Sequence, residues 1–202
     1  MIIYEEEKFD LSTFIGGWYI PKKDCEELIK FYENNIDKTY TGNIGKSGKL
    51  SQGFVNSKIK KCSQITIDQE NYFCLANYIN HLSNILNCYK KKYPFCDSLS
   101  PYTLIEPINI QHYKPKEGFY EWHTENLGCN FTKNRHLVFM TYLNSIENGG
   151  TEFYHQNLKT ECKTGLTLIW PSAWTHIHRG IVSMEEDKYI ITGWISFDSS
   201  GK

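Results

Sequence analysis

His123, Thr124 and Glu125 are the residues whose types and spacing first suggest chemistry. In an extended strand, residues two apart point to the same side. His123 and Glu125 would therefore present an imidazole and a carboxylate to one point. Two donors so close in sequence fix little alone, and a third must come from elsewhere. His176-Ile177-His178 supplies candidates roughly fifty residues later. Two His and one carboxylate on one face of a metal, with the remaining positions open, suit Fe(II) and O₂ chemistry. A His-x-Glu triplet alone is common, so its weight comes from its surroundings.

Those three residues need strands to carry them. From Thr103 onward the pattern is strand after strand: Leu104 to Tyr113, His136 to Leu143, Thr151 to His155, Leu166 to Trp170 and Tyr189 to Phe197. Turns are marked by Glu147-Asn148-Gly149-Gly150 and Lys163-Thr164-Gly165. The N-terminal half supplies support. A strand is expected near 14–20, and then Pro21 suits a helix start. Asp24, Glu26 and Glu27 complement the dipole of a helix over 22–36. Residues 37–63 are polar and Gly-rich and read as a loop, or a loop with a short strand, able to close over a bound chain. Tyr72, Leu75, Ile79, Leu82, Leu86 and Tyr89 form one apolar stripe and predict a helix over 68–93, stopped by Pro94. His81 lies beside this stripe and reads as structural. Helices followed by many short strands give an α+β order. A double-sheet jelly roll with the site in its mouth lets neighbouring strands converge on one metal.

Size and composition narrow the classes. The chain has 202 residues, enough for one sizeable core, so 1–202 is read as a single domain. Residues 1–100 would be helical support and loop, and 101–202 the catalytic core. The net charge of −1 gives no global pull toward nucleic acid or an anionic membrane. Met-Ile-Ile-Tyr-Glu-Glu-Glu at the start lacks a basic and then apolar leader, and no apolar run is long enough to span a bilayer. Seven Cys, an odd number with no Cys-x-x-Cys, point to free thiols and a cytoplasmic, reducing location.

The motifs around the triplet carry a resemblance. Tyr113-x-Pro115-x-x-Gly118-x-Tyr120 precedes His123. Tyr142-Leu143-Asn144, Gly149-Gly150-Thr151-Glu152-Phe153, Trp170-Pro171, His178-Arg179-Gly180 and Lys188-Tyr189-Ile190-Ile191-Thr192-Gly193-Trp194 come after it. This ordered set resembles the prolyl 4-hydroxylase-like group of 2-oxoglutarate/Fe(II)-dependent dioxygenases, closely in the C-terminal half and in outline before it. The resemblance implies a double-stranded β-helix (jelly-roll, cupin-like) core buttressed by N-terminal helices. It implies His123, Glu125 and a distal His as metal ligands, with Glu where the family more often has Asp. His176 and His178 both remain open for the distal place. The family position directly before Arg-Gly, ten residues ahead of the basic residue, favours His178. Lys188 would pair with the far carboxylate of 2-oxoglutarate, since a buried dicarboxylate must meet a cation. Tyr142 and Tyr113 would lie at the cosubstrate, and Thr192 would add a hydroxyl. Trp194 could line the metal site. Arg135, Trp122, Glu121 and Trp174 would sit near the substrate mouth. His112, His136 and His155 are not expected as ligands, and Gly149 and Gly150 read as turn residues.

The implied reaction couples oxidative decarboxylation of 2-oxoglutarate by O₂ to hydroxylation of an unactivated C–H bond, with ascorbate as reductant and succinate and CO₂ as products. The implied substrate is a prolyl residue in a peptide or protein. A free amino acid or small metabolite, or a non-catalytic jelly-roll binding module, are the rival readings.

Overall fold

The computed structural model describes residues 3–42 and 55–198. The middle of the Gly-rich loop, residues 43–54, lies outside the described residues, and so does the expectation that it closes over a chain. Strands β1 (Glu6–Glu7) and β2 (Gly16–Tyr19) lead into helix α1 (Lys22–Glu33). Strands β3 (Tyr40–Thr41) and β4 (Ser63–Ile67) precede helix α2 (Ala76–Lys92). Then come β5 (Tyr102–Thr103), β6 (Ile108–Tyr113), β7 (Arg135–Tyr142), β8 (Thr151–Phe153), β9 (Leu158–Lys159), β10 (Leu166–Pro171), β11 (His178–Gly180) and β12 (Lys188–Phe197).

The strands form two antiparallel sheets. The larger runs β1-β2-β10-β7-β12-β6-β4-β3, with β5 paired to β12, and the smaller runs β11-β8-β9. This is the jelly roll expected from the sequence, with the helices packed outside it. Strand alternation divides the chain's apolar residues between two cores. Leu137 and Phe139 of β7, with Ile110 and Ile191, face α2, whose Tyr78, Leu82, Ile85 and Tyr89 are buried against them. Val138, Met140 and Tyr142 point the other way, toward Phe153 of the small sheet and Trp170. The site opens between the sheets on that second face.

Several boundaries differ from expectation for physical reasons. The first turns of the long helix, Gln69–Leu75, are 3₁₀ rather than α. Three residues per turn instead of 3.6 rotates the α-helical turns beyond Leu75. The helix consequently buries Tyr78, His81, Leu82, Ile85 and Tyr89, while Ile79 and Leu86 of the expected stripe are only half-buried. His81 is structural, as its place beside the stripe suggests: Nδ1 meets Tyr4 Oη at 2.8 Å, and Nε2 lies 3.3 Å from Asp24. α1 ends at Glu33 rather than near 36. Of the expected 104–113 strand only Ile108–Tyr113, after Pro107, is extended as β6, and a separate two-residue strand, β5, precedes Leu104. The sequence pattern does not predict β4. It alternates Gln64 and Thr66 on the cavity side with Ile65 and Ile67 in the helix-side core. All seven Cys are free thiols, and no helix among the described residues is long and apolar enough to cross a membrane.

Candidate metal centre and cosubstrate pocket

His123 lies in the segment after β6 and pairs with the first residue of β11. His123 N–H donates to His178 O, and His178 N–H to His123 O, each at 3.0 Å. A pair that exchanges both bonds stands directly opposite across the ladder, so the two imidazoles lie side by side, ring centroids 4.3 Å apart. Glu125, two residues on, turns to the same point, as the strand period requires. Oε1 of Glu125 is 3.5 Å from Nε2 of His123 and 3.6 Å from Nε2 of His178. One donor atom from each of the three residues lies within 4.8 Å of the others.

The far side of each group is already occupied. Nδ1 of His123 bonds Glu121 O at 3.0 Å, and Nδ1 of His178 bonds His176 O at 2.9 Å. A carbonyl only accepts, so each Nδ1 carries the hydrogen and each Nε2 is left for a metal. Burial, reinforced by the neighbouring His178, holds the His123 pKa below its ordinary value and favours the neutral, metal-binding ring. Burial works against a charge on Glu125, yet the facing His123 and His178 hold its carboxyl well below the usual range. Phe119 stacks on His123 at 3.6 Å, and Trp170 packs edge-on to His178 at 5.0 Å. Two neutral imidazoles and one carboxylate converging through single atoms fit Fe(II).

His178 and not His176 faces His123 and Glu125, because a turn separates the two. Trp174–His176 is a 3₁₀ turn rather than extended strand, so the two rings diverge. His176 is bonded through Nε2 to Thr13 O at 2.9 Å and through Nδ1 to Thr175 Oγ1 at 3.0 Å. Among the other histidines, His112 pairs with Asp187, His136 bonds Cys96 O, and His155 packs edge-on to Trp174.

The triad opens on a cavity of about 500 Å³ that also receives Lys188. Lys188 is 4% exposed, and its Nζ donates to Gly149 O at 3.1 Å and Ile181 O at 2.8 Å. Burial pulls its pKa down to about 8. Gly149 thus does more than turn the chain, since its carbonyl orients this ammonium. Its neighbour Gly150 passes so close to the opposite strand that a Cβ there would lie 1.8 Å from Thr160 O. Tyr142, Tyr113 and Thr192 also line the cavity. Tyr142 Oη is held by Thr151 Oγ1 at 2.7 Å and Thr160 Oγ1 at 2.8 Å. Tyr113 Oη donates to Gln111 Oε1 at 2.6 Å, and Thr192 Oγ1 to Phe139 O at 2.8 Å. Burial raises the pKa of both tyrosines, so each stays a neutral hydroxyl.

Arg135 lines the cavity, but its donors are already committed. It grips Glu106 through Nε and Nη2 at 2.9 and 2.6 Å, lies 3.5 Å over the Trp194 ring, and donates from Nη1 to Glu125 O at 3.0 Å. Glu125 Oε2 accepts from Trp194 Nε1 at 2.9 Å and faces Arg135 Nη1 at 3.4 Å. These contacts tie down Oε2 and leave Oε1 to the imidazoles, which disciplines the extra methylene of Glu. Partners of ligating groups are commonly worth 10–100-fold in metal affinity. Trp194→Phe and Glu106→Gln should therefore each weaken Co(II) binding by about tenfold or more; unchanged titrations in both would remove this role. Trp122 packs against Arg179 and Tyr154, and Trp174 is 67% exposed; neither lines the cavity. Sequence reading missed Lys60, Gln64, Asn109, Gln111, Thr151 and Glu106, all of which line it. Only the alternation of Ser-Gln-Ile-Thr-Ile at 63–67 offered a local signal.

A double-sheet antiparallel fold whose mouth holds this donor set is the arrangement that the sequence resemblance implied. Residues 108–196 match the family model described as the 2OG-Fe(II) oxygenase superfamily. The matched stretch contains the triad and Lys188. Solved structures of similar fold include prolyl hydroxylases, as the sequence resemblance implied. One is a viral collagen prolyl hydroxylase from Paramecium Bursaria Chlorella virus-1 in a 2OG complex, with TM-score 0.63, 19% identity and 96% of each chain covered. A Pseudomonas putida prolyl-4-hydroxylase has TM-score 0.67 and 13% identity, covering 94% of this chain and 96% of that one. A prolyl hydroxylase from Trichoplax adhaerens, in complex with a hypoxia inducible factor oxygen degradation domain peptide fragment, has TM-score 0.67 and 17% identity, covering 92% and 84%. No curated protein matches the chain.

Proposed function

We propose that the protein is a dioxygenase that uses Fe(II) and 2-oxoglutarate to hydroxylate a prolyl residue in a peptide or protein, releasing succinate and CO₂. The observation that carries this reading is the convergence of His123, Glu125 and His178 on a cavity that also holds the buried ammonium of Lys188. Fe(II), when bound, supplies the oxidative chemistry that couples 2-oxoglutarate decarboxylation to C–H hydroxylation. His123, Glu125 and His178 would hold it from one face. Lys188 would pair with the far carboxylate of 2-oxoglutarate, with Tyr142 and Thr192 beside it and Tyr113 on the adjoining wall. Phe119 and Trp170 shield the imidazoles from water, which strengthens every charge interaction inside. The peptide fragment bound to the Trichoplax relative supports a chain-like substrate.

The test is succinate production by the purified protein with Fe(II), ascorbate and 2-oxoglutarate, with and without proline-rich peptides, and with His123→Ala as control. Turnover that rises with peptide and vanishes in the variant is the expected result. Turnover stimulated only by free amino acids or small metabolites would move the substrate. No turnover and no metal-dependent 2-oxoglutarate binding would leave a non-catalytic jelly-roll module.

A further inference from the structure

Beyond the triad and Lys188, the cavity runs along β4 and β6, where Gln64, Thr66, Asn109 and Gln111 form its floor. These side chains are joined in one hydrogen-bond network whose direction can be worked out. It starts at Lys60, whose Nζ donates to Gln64 Oε1 at 3.2 Å. An ammonium has donors only, so the carbonyl of Gln64 must face it. Gln111 Nε2 donates weakly to the same oxygen at 3.4 Å. The Gln64 amide nitrogen therefore points the other way, donating to Tyr40 Oη at 3.0 Å and Asn109 Oδ1 at 3.3 Å. Thr66 Oγ1 donates to that same Asn109 oxygen at 2.6 Å. This fixes the flip of Asn109, which is otherwise a matter of assignment. Tyr113 Oη occupies the Gln111 carbonyl at 2.6 Å.

The carbonyl oxygens of Gln64 and Asn109 thus each accept twice inside the network and that of Gln111 once, so what they leave for the cavity is mainly N–H. Asn109 Nδ2 meets no acceptor among the described residues, although Asn109 is only 7% exposed. The second hydrogen of Gln111 Nε2 is in the same position, on a side chain of a residue 6% exposed. Both nitrogens belong to side chains that line the open cavity, where a bound acceptor can meet them.

We propose that Gln64, Asn109 and Gln111, oriented by Lys60, form a donor-rich substrate subsite that takes main-chain carbonyl oxygens of a proline-containing peptide. The subsite rests on the dioxygenase reading above and names what its substrate must offer. Proline has no N–H, so a proline-rich segment presents carbonyl acceptors with few competing donors. Against this floor its oxygens find partners, whereas an N–H-rich chain or a substrate ammonium would set donor against donor.

The test is Asn109→Asp, which keeps the oxygen that serves Gln64 and Thr66 and replaces the cavity-facing N–H₂ by a carboxylate oxygen. Asn109→Ala is the second variant, and thermal melting reports on folding. KM for a proline-rich peptide and KM for 2-oxoglutarate in peptide-free turnover are measured for each, with free L-proline as an alternative source of acceptor oxygens. The expected result is a peptide KM raised about tenfold or more in Asn109→Asp and less in Asn109→Ala, with 2-oxoglutarate KM within about twofold of wild type. An unchanged peptide KM in both variants overturns the subsite. So does a 2-oxoglutarate KM that rises in step, because the floor would then serve the cosubstrate. Stimulation by L-proline and not by peptide assigns the donors to a free carboxylate and overturns the main-chain reading. A wild-type protein that never turns over 2-oxoglutarate overturns the dioxygenase reading itself, a result distinct from an active enzyme indifferent to Asn109.

Discussion

His178→Ala is expected to abolish 2-oxoglutarate-dependent turnover and to weaken binding of Mn(II) or Co(II) by at least about 100-fold. Loss of an outer partner of a ligand typically costs 10–100-fold, and loss of a ligand atom exceeds that. The two residues that stay, His123 and Glu125, cannot close a face of three. His176 cannot substitute, because both of its nitrogens are engaged, with Thr13 and Thr175, on the far side of the 3₁₀ turn. His176→Ala should therefore leave metal affinity within about twofold of wild type, the cost of a lost structural contact appearing in stability instead. Calorimetric titration of metal into both variants, with melting curves alongside, decides the matter. Retained metal in His178→Ala, or lost metal in a folded His176→Ala, would sink the assignment.

Lys188→Met should remove 2-oxoglutarate binding without removing metal binding. Truncating one partner of a buried, hydrogen-bonded charge pair costs about 2–5 kcal/mol, or roughly thirty- to three-thousand-fold in affinity. Methionine keeps the length and apolar stem but leaves Gly149 O and Ile181 O without their donor. The pH dependence has a definite sign. The buried ammonium has its pKa lowered to about 8, below the ordinary lysine value. Below pH 8 it is charged and meets the dicarboxylate directly. As pH rises through 8 it loses its proton, and binding must return one, so affinity falls by up to about tenfold per pH unit. Over the same window the unfolded chain holds more protons than the folded one, so this residue makes the protein more stable as pH rises. Titration of 2-oxoglutarate at pH 7 and pH 9, in the presence of Mn(II), should show the fall in wild type. Metal affinity retained and 2-oxoglutarate affinity lost in Lys188→Met is the expected pattern; 2-oxoglutarate binding as tight as wild type would reject the carboxylate role.

Some of the site was legible because its information is local. His123 and Glu125 share a face whenever 123–125 is extended, whatever the rest of the chain does. Lys188 opens a strongly β-forming run, so its burial followed from the run being a central strand, β12 between β6 and β7. The long helix was legible in extent, yet its buried face was misread by one residue at Tyr78 and Ile85. Periodicity counts 3.6 residues per turn and cannot see that the first turns are 3₁₀. Arg135 was read as a group at the substrate mouth because its distance to Tyr142 matched the resemblance. No spacing rule reveals that Glu106, 29 residues earlier, holds its guanidinium.

The sequence by itself determined the chemistry available here: two imidazoles and a carboxylate at strand spacing, one lysine at the head of a buried strand, and a jelly roll to carry them. These come from nearest-neighbour geometry and the period-2 alternation of strands. Only the tertiary structure decided that His178 rather than His176 reaches the triad, that Arg135 and Trp194 discipline Glu125, and that the unannounced strand β4 lays Gln64 beside Asn109. Each depends on the register between segments far apart in the chain. That register is set by burying both apolar faces of the large sheet at once, a condition no single stretch of sequence contains.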